Sequence, residues 1–156
     1  MAPLRRLRIQ MLLAGLWLGG MAAVGLIGAP TAFALIPHKL AAAAVASRMF
    51  YLMALAGAVL GAVLLVIERN RSSGMTTPLL LVMGGLFWDV LGEFVIVPQL
   101  LAAAAAHAAV AANWHIAASA AYGAQALCVL VYVWMLPSQL GRDPEPVAVA
   151  AGAADT

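Results

Sequence analysis

Four apolar stretches, each long enough to cross a lipid bilayer, make up most of this chain of 156 residues. They cover residues 9–36, 41–67, 78–106 and 109–136. A transmembrane helix needs about 20 apolar residues, because each residue advances the helix by about 1.5 Å. Soluble domains are about a quarter charged, whereas 9% of this chain is charged and 65% is hydrophobic. The sequence therefore predicts an all-α fold, a polytopic four-transmembrane-helix bundle.

Polar breaks separate the predicted helices, and basic residues orient them. The break at residues 106–108 contains no turn residue; we infer it because one helix over residues 78–136 would be about 88 Å long. Cytoplasmic loops are enriched in Lys and Arg, and most of the basic residues fall on one side. We therefore expect both termini in the cytoplasm, a bacterial-type inner membrane as the location, and a disordered cytoplasmic tail over residues 137–156. The basic residues on the cytoplasmic side are Arg5, Arg6, Arg8, Arg69, Arg71 and Arg142, against Lys39 and Arg48 on the other.

The amino end also resembles a secretory signal peptide. Three arginines precede an apolar stretch, and Ala32-Phe33-Ala34 fits a cleavage pattern. The apolar part of a signal peptide is usually about 7–15 residues long, and the stretch over residues 9–36 is much longer. We therefore expect a retained helix, with cleavage after Ala34 as the alternative.

Small residues and prolines suggest how the helices pack. Gly-x-x-x-Gly motifs at residues 15–19 and 57–61 predict close contact between helices. The first and third helices also share a plan, since each carries a proline near its outer end, Pro30 and Pro98. Two parallel repeats of two helices are one interpretation. Chance similarity of alanine-rich segments is the other.

Two carboxylates, Asp89 and Glu93, interrupt the third apolar stretch. Fourteen Leu, Ile, Val and Phe residues between Leu79 and Leu101 favour insertion by about −6 kcal/mol, and two central acids oppose it by about +5 to +7 kcal/mol. The free energy of inserting this helix alone into the membrane is therefore close to zero. It is secure in the membrane only if the bundle shelters the acids from lipid.

Depth along the helices predicts a polar layer in the outer half of the bundle. Counted from the predicted outer helix ends, Arg48, Glu93 and His115 lie about 10, 12 and 9 Å deep. Asp89 lies one turn deeper on the same face as Glu93. We expect an ion pair between Arg48 and Glu93. The candidate layer consists of Arg48, Tyr51, Asp89, Glu93, His115, Ser119 and Tyr122.

The sequence leaves several roles open for this layer. It could be a structural ion pair that fixes helix register and helps the tryptophans pack, or a path for a small molecule, proton or metal ion. His115, Glu93 and Asp89 offer nitrogen and oxygen ligands to a divalent metal. Haem at His115 also stays open, but no second histidine faces it, and no resident cofactor is predicted. Gln125 is expected to form a hydrogen bond between helices.

Several segments of the chain resemble a known family. The segments LWLGGMAAVGLIGAPTAFALIP, SRMF, FVIVPQL and WHIAASAAYGAQAL resemble the transmembrane-protein-205-like family, also called domain of unknown function 4149. The resemblance covers residues 12–134, implies a four-helix membrane fold, and implies no reaction. The LWLGG segment is more distantly similar to the copper-resistance D family, although the first helix lacks histidines that could handle copper. The matched positions are Trp17, Gly19, Gly20, Pro30, Phe33, Pro98 and His115; Asp89 and Glu93 are outside the matched pattern.

The remaining features narrow the function classes. The chain contains no Ser-His-Asp arrangement, P-loop, Cys-x-x-Cys or dinucleotide-binding motif, so an enzyme is disfavoured. A net charge of +2 does not support a nucleic-acid surface. Two classes stay open: a membrane-embedded binding or transport protein that uses the polar layer, and a structural or accessory subunit that associates with itself or with a larger membrane complex.

Overall fold

The computed structural model describes residues 3–71, 74–106 and 109–139, and within these residues it contains helices and no strand. Four helices are long and apolar enough to cross a membrane: span 1, Leu4–Leu35; span 2, Lys39–Arg69; span 3, Thr77–Ala105; span 4, Ala111–Met135. The predicted all-α fold with four transmembrane helices is confirmed. Most of the predicted tail, residues 140–156, lies outside the described residues, and so do His107 and Ala108 in the third break.

The helix boundaries differ from the predicted ones mainly at the charged ends. The helix of span 1 begins at Pro3, ahead of the predicted residue 9, and that of span 2 continues to Arg69. Charged residues close to an apolar stretch can extend the same helix into the interface, because a helix satisfies its own backbone there. Span 3 begins where the side chain of Thr76 accepts a hydrogen bond from the amide of Leu79, a helix cap.

The spans alternate in direction, and each packs against its two neighbours in the bundle. Spans 1 and 2 form hairpin 1, joined at Ile36–His38, and spans 3 and 4 form hairpin 2. We call the end of the bundle that contains Leu4 and Met135 the terminal end. The end that contains Leu35 and Ala105 is the opposite end.

Trp17 fills the centre of the bundle and is 1% exposed. Three glycines make room for its ring. A Cβ added at Gly57 would lie 2.6 Å from Trp17 Nε1, one at Gly61 would lie 2.8 Å from Cη2, and one at Gly85 would lie 3.1 Å from Cη2. The first two distances are shorter than real contacts allow. The predicted close contact at residues 57–61 is confirmed, and it is a contact with an indole ring from span 1.

The other glycine motif, at residues 15–19, does not pack. Gly15 and Gly19 are exposed, and a Cβ added at either would meet nothing within 4 Å. The predicted close contact is therefore wrong for this pair within the described chain. The spacing shows that two glycines share a face of the helix, but it does not show which neighbour, if any, that face meets.

This contrast between the glycines gives a stability prediction. Gly57→Ala should lower the free energy of unfolding by about 1–3 kcal/mol relative to Gly15→Ala, because only the first new methyl group overpacks the core. Both variants gain the same helix propensity, so their difference isolates packing. Thermal melting in detergent micelles, followed by circular dichroism, measures it. Equal melting temperatures for the two variants would contradict the tight slot around Trp17.

Spans 1 and 3 each contain a π-helical segment, Ala23–Gly28 and Gly92–Ile96, which ends two residues before a proline. Proline lacks an N–H and its ring clashes with the carbonyl four residues back. A wider turn ahead of the proline accommodates the disrupted hydrogen bonding, and such turns bend helices. Pro30 and Pro98 therefore follow wider helical turns at matching places in the two hairpins.

The pattern of buried residues also repeats along the chain, with the spacing of 68 residues that separates Pro30 from Pro98. Equivalent buried positions are a constant 68 residues apart, which spans both helices of each hairpin. This regularity supports the interpretation as two parallel helical-hairpin repeats. The equivalent buried pairs are Ala14 and Val82, Trp17 and Gly85, Met21 and Asp89, Gly57 and Gln125, Gly61 and Val129, Leu64 and Tyr132, and Glu68 and Leu136.

Candidate functional site

A cavity of about 530 Å³ lies between the two hairpins, toward the opposite end of the bundle. Beyond the π-helical segments, the last part of span 1 packs on span 2, and the last part of span 3 packs on span 4. Packing between the hairpins is extensive toward the terminal end and continues weakly to the segment Gly92–Ile96. The cavity is the cleft that results. Its volume lies within the range of about 300–1,000 Å³ typical of small-molecule sites.

Asp89 lies at the inner end of this cavity and is 4% exposed. Its Oδ1 atom accepts a hydrogen bond of 2.8 Å from Nε2 of Gln125, which confirms the hydrogen bond between helices predicted for Gln125. Its Oδ2 atom is buried and has no hydrogen-bond partner among the described residues. Glu93 lies about one turn further along span 3, is half-buried and also lines the cavity.

A second unpaired polar atom lies close to Asp89. Trp17 Nε1 is buried without an acceptor in the described part of the chain. A Cβ at Gly57 would lie 2.6 Å from this nitrogen and 3.2 Å from Asp89 Oδ2, so the donor and the acceptor converge on the space that the glycine leaves free. An unpaired buried polar group costs about 1–3 kcal/mol. The interior next to the inner end of the cavity therefore contains hydrogen-bonding capacity that the described residues leave unused.

Three more of the predicted residues line the cavity wall on span 4. His115 and Ser119 are exposed, and Tyr122 is half-buried. The Tyr122 hydroxyl donates a hydrogen bond of 2.8 Å to the carbonyl of Met21, and its ring meets that of Phe50 edge-on at 5.1 Å. The structure thus brings five of the seven predicted layer residues to one cavity: Asp89, Glu93, His115, Ser119 and Tyr122.

Arg48 and Tyr51 do not join them. Arg48 is exposed, and its guanidinium lies 5.2 Å from the centre of the Tyr51 ring. The Tyr51 ring in turn meets Phe94 at 6.4 Å. The predicted ion pair between Arg48 and Glu93 is wrong within the described residues. Counting residues gives the depth of a side chain but not its direction around the helix, and Arg48 shares the outward face of Tyr51 three residues on.

The metal interpretation also lacks geometric support. Asp89, Glu93 and His115 line the same cavity, but among the described residues no group of three His, Cys, Asp or Glu side chains could hold a metal ion. These three side chains therefore line one cavity without forming a set of metal ligands.

The structure contains a buried polar cluster that the sequence analysis missed, formed by Gln10, Glu68 and Tyr132 near the terminal end. Glu68 Oε1 accepts hydrogen bonds of 2.7 Å from Gln10 Nε2 and 2.8 Å from the Tyr132 hydroxyl. Gln10 Nε2 also approaches the Tyr132 hydroxyl at 3.3 Å. Arg71 lies 4.0 Å from Glu68 Oε2. The cluster connects spans 1 and 2 to span 4, so it joins the two hairpins.

The spacing of the residues that pack in the core could have identified this cluster from the sequence. Buried residues in three spans recur at alternating steps of four, three and four residues, the pattern of helices packed along a common seam. Gln10, Glu68 and Tyr132 each lie on that pattern, whereas polarity alone assigned Glu68 to a loop. The three series are Gln10, Ala14, Trp17, Met21; Gly57, Gly61, Leu64, Glu68; and Gln125, Val129, Tyr132, Leu136.

Comparison with known proteins gives a family but no activity. The chain matches none of the curated proteins and none of the solved structures with which it was compared. A family model described as Domain of unknown function (DUF4149) matches residues 12–114. This range contains spans 2 and 3, most of span 1, and both acids of the cavity. The chain is therefore a member of the DUF4149 family, with four helices long and apolar enough to span a membrane.

Proposed function

We propose that this protein binds a small organic molecule inside the membrane, in the cavity between its hairpins, as a transporter or a membrane-embedded binding protein. The observation that carries the proposal is a cavity of about 530 Å³ that contains a buried carboxyl at its inner end. Ionisable residues within a membrane span are expensive and mark binding sites or pathways. An apolar pocket with a few convergent polar groups is the usual form of a small-molecule site.

The position of the exposed wall residues supports entry from the side. Phe33 and Leu101 are 53% and 52% exposed, and His115 and Ser119 are exposed as well. All four line the cavity. A molecule dissolved in the outer part of the bilayer would therefore meet the cavity between the hairpins without first crossing the aqueous phase.

Filling the cavity tests the proposal. A small apolar photoaffinity probe with a diazirine group should label peptides from spans 3 and 4 that line the cavity, mapped by mass spectrometry. Ala118→Phe, which places a ring in the cavity, should reduce this labelling about tenfold, since overpacking a site typically costs 1–3 kcal/mol. Ala120→Phe is the matched control, because Ala120 is exposed on the same helix and does not line the cavity. Equal labelling of both variants would reject the cavity as a binding site.

The second candidate function is an accessory subunit of a homo-oligomer or of a larger membrane complex. The observation that favours it is the outward pair Gly15 and Gly19, which has open space around both residues and would admit a helix of another chain. Absence of probe labelling in the cavity would favour this alternative over a binding function.

Several finer assignments belong to the same proposal. We place the protein in a bacterial-type inner membrane with both termini cytoplasmic, on the distribution of Arg and Lys. The LWLGG segment supports the relationship to the transmembrane-protein-205-like family and, more distantly, to the copper-resistance D family. We propose no enzymatic activity, no resident metal or haem, and no nucleic-acid partner.

A further inference from the structure

We infer that the molecule bound between the hairpins is a lipophilic organic cation, held through its charge by Asp89. This inference rests on the proposed function and deepens it, because it specifies the chemical class of the ligand. It depends on three properties of the cavity: the charges in its wall, the unpaired oxygen of Asp89, and the aromatic rings around them.

The carboxyl groups of Asp89 and Glu93 line the cavity. Among the described residues, no Lys or Arg lines it. Arg48, the nearest basic residue on span 2 by depth, is directed onto the outer face at Tyr51. His115 is exposed on the wall of span 4. A cation entering the cavity therefore meets two carboxyl groups with no Lys or Arg beside them among the described lining residues, whereas carboxylates at these positions would repel an anion.

Asp89 presents a carboxyl group that is held in place at the inner end of the cavity. Gln125 holds Oδ1 at 2.8 Å and so fixes the carboxyl group, while Oδ2 stays buried and unpaired among the described residues. A cation in the cavity would be attracted by the charge of this carboxylate, and water screens such an attraction little in a buried place. The preorganised carboxyl would bind a cation without first breaking a bond to another side chain.

The rest of the wall selects for an organic cation. The rings of Phe50, Trp88 and Tyr122 line the cavity, and the face of an aromatic ring attracts cations. Most of the other lining residues are aliphatic, which favours a ligand with an apolar body. An inorganic ion would need several protein ligands, and the described residues provide no group of three His, Cys, Asp or Glu for one.

Two ions of the same shape and opposite charge provide the test. Tetraphenylphosphonium and tetraphenylborate compete with the apolar photoaffinity probe for the cavity in detergent-solubilised protein. The carboxylates should attract the phosphonium ion and repel the borate. We therefore expect the borate concentration needed for displacement, divided by the phosphonium concentration, to be about tenfold higher in the wild type than in a variant without the Asp89 charge, which corresponds to about 1.4 kcal/mol. Asp89→Asn, which keeps an oxygen for Gln125, should bring the two concentrations together.

Comparing the ratio of the two concentrations between wild type and variant removes differences in how the ions partition into micelles. Glu93→Gln is the second variant, for the case that Asp89→Asn does not fold, and it should reduce the ratio by a smaller factor. A ratio that is the same in the wild type and in the variants that fold would overturn the cation inference and leave a small-molecule site in place. Failure of the probe to label the cavity would overturn the proposed function itself.

Discussion

Replacing Trp17 with alanine should lower the free energy of unfolding by about 3–5 kcal/mol, the range for removing a large aromatic side chain from a packed core. Trp17 is 1% exposed and its ring contacts both hairpins, through Gly57 and Gly61 on span 2 and Gly85 on span 3. The glycines have no side chains that could move into the space left behind. The space left by the indole ring would therefore stay empty, and the loss of stability should approach the upper part of the range.

Trp134→Ala is the matched control for this experiment. Trp134 is 84% exposed, so its removal should leave the melting temperature in detergent nearly unchanged. Trp17→Phe should fall between the two, because it removes volume but also removes the Nε1 donor that lacks a partner among the described residues. If Trp17→Ala and Trp134→Ala melted at the same temperature, Trp17 would not be the centre of the core.

Glu68→Ala is expected to have the second large effect. The substitution removes the acceptor of two hydrogen bonds. The buried Tyr132 hydroxyl then has no acceptor for its proton among these side chains, and the buried Gln10 amide keeps only its longer contact of 3.3 Å with that hydroxyl. Each buried group left unpaired costs about 1–3 kcal/mol, so the free energy of unfolding should fall by about 2–5 kcal/mol. Because Tyr132 lies on span 4 and Glu68 on span 2, the loss should also loosen the contact between the hairpins.

Two further variants separate the hydrogen bonds from general effects at the end of span 2. Glu68→Gln keeps one oxygen that can accept from both partners, so it should destabilise less than Glu68→Ala. Arg69→Ala changes an exposed neighbour and should stay within about 0.5 kcal/mol of wild type. Melting curves in micelles distinguish these outcomes. A Glu68→Ala protein as stable as Arg69→Ala would show that the cluster does not hold the hairpins together.

The two hairpins have the same arrangement of helices, but near the inner end of the cavity the residues at their equivalent positions differ in polarity. Met21 of hairpin 1 is equivalent to Asp89 of hairpin 2, and Gly57 is equivalent to Gln125. The polar pair at the inner end of the cavity thus lies entirely in hairpin 2. Hairpin 1 contributes the small and apolar side: Gly57 next to the carboxyl, and Trp17 below it. The cavity is asymmetric although the backbone arrangement repeats.

The span count and the sheltering of Asp89 were predictable from the sequence because both follow from the energy of transfer into lipid. Apolar stretches of this length favour insertion, and a central carboxylate on the lipid face would cancel much of that gain. Asp89 is accordingly buried at 4% exposure. Glu93, His115, Ser119 and Tyr122 also reach the same cavity, because depth along a helix follows mainly from residue number.

The predictions that were wrong depended on the direction in which a side chain points around its helix. Arg48 lies at the predicted depth but turns to Tyr51 instead of Glu93. Gly15 and Gly19 have the spacing of a packing motif but lie on an exposed face. In a membrane, lipid tails are as apolar as the core, so hydrophobicity does not mark the buried face as it does in a soluble protein.

By itself, the amino-acid sequence determined how many times the chain can cross a bilayer and that its central acids must be sheltered, because both depend on summed transfer energies along one helix. Only the tertiary structure decided which side chains meet. The glycine slot around Trp17 and the contact of Glu68 with Tyr132 arise between segments far apart in the chain. Their geometry follows from how four helices rotate to fill a shared interior at close packing.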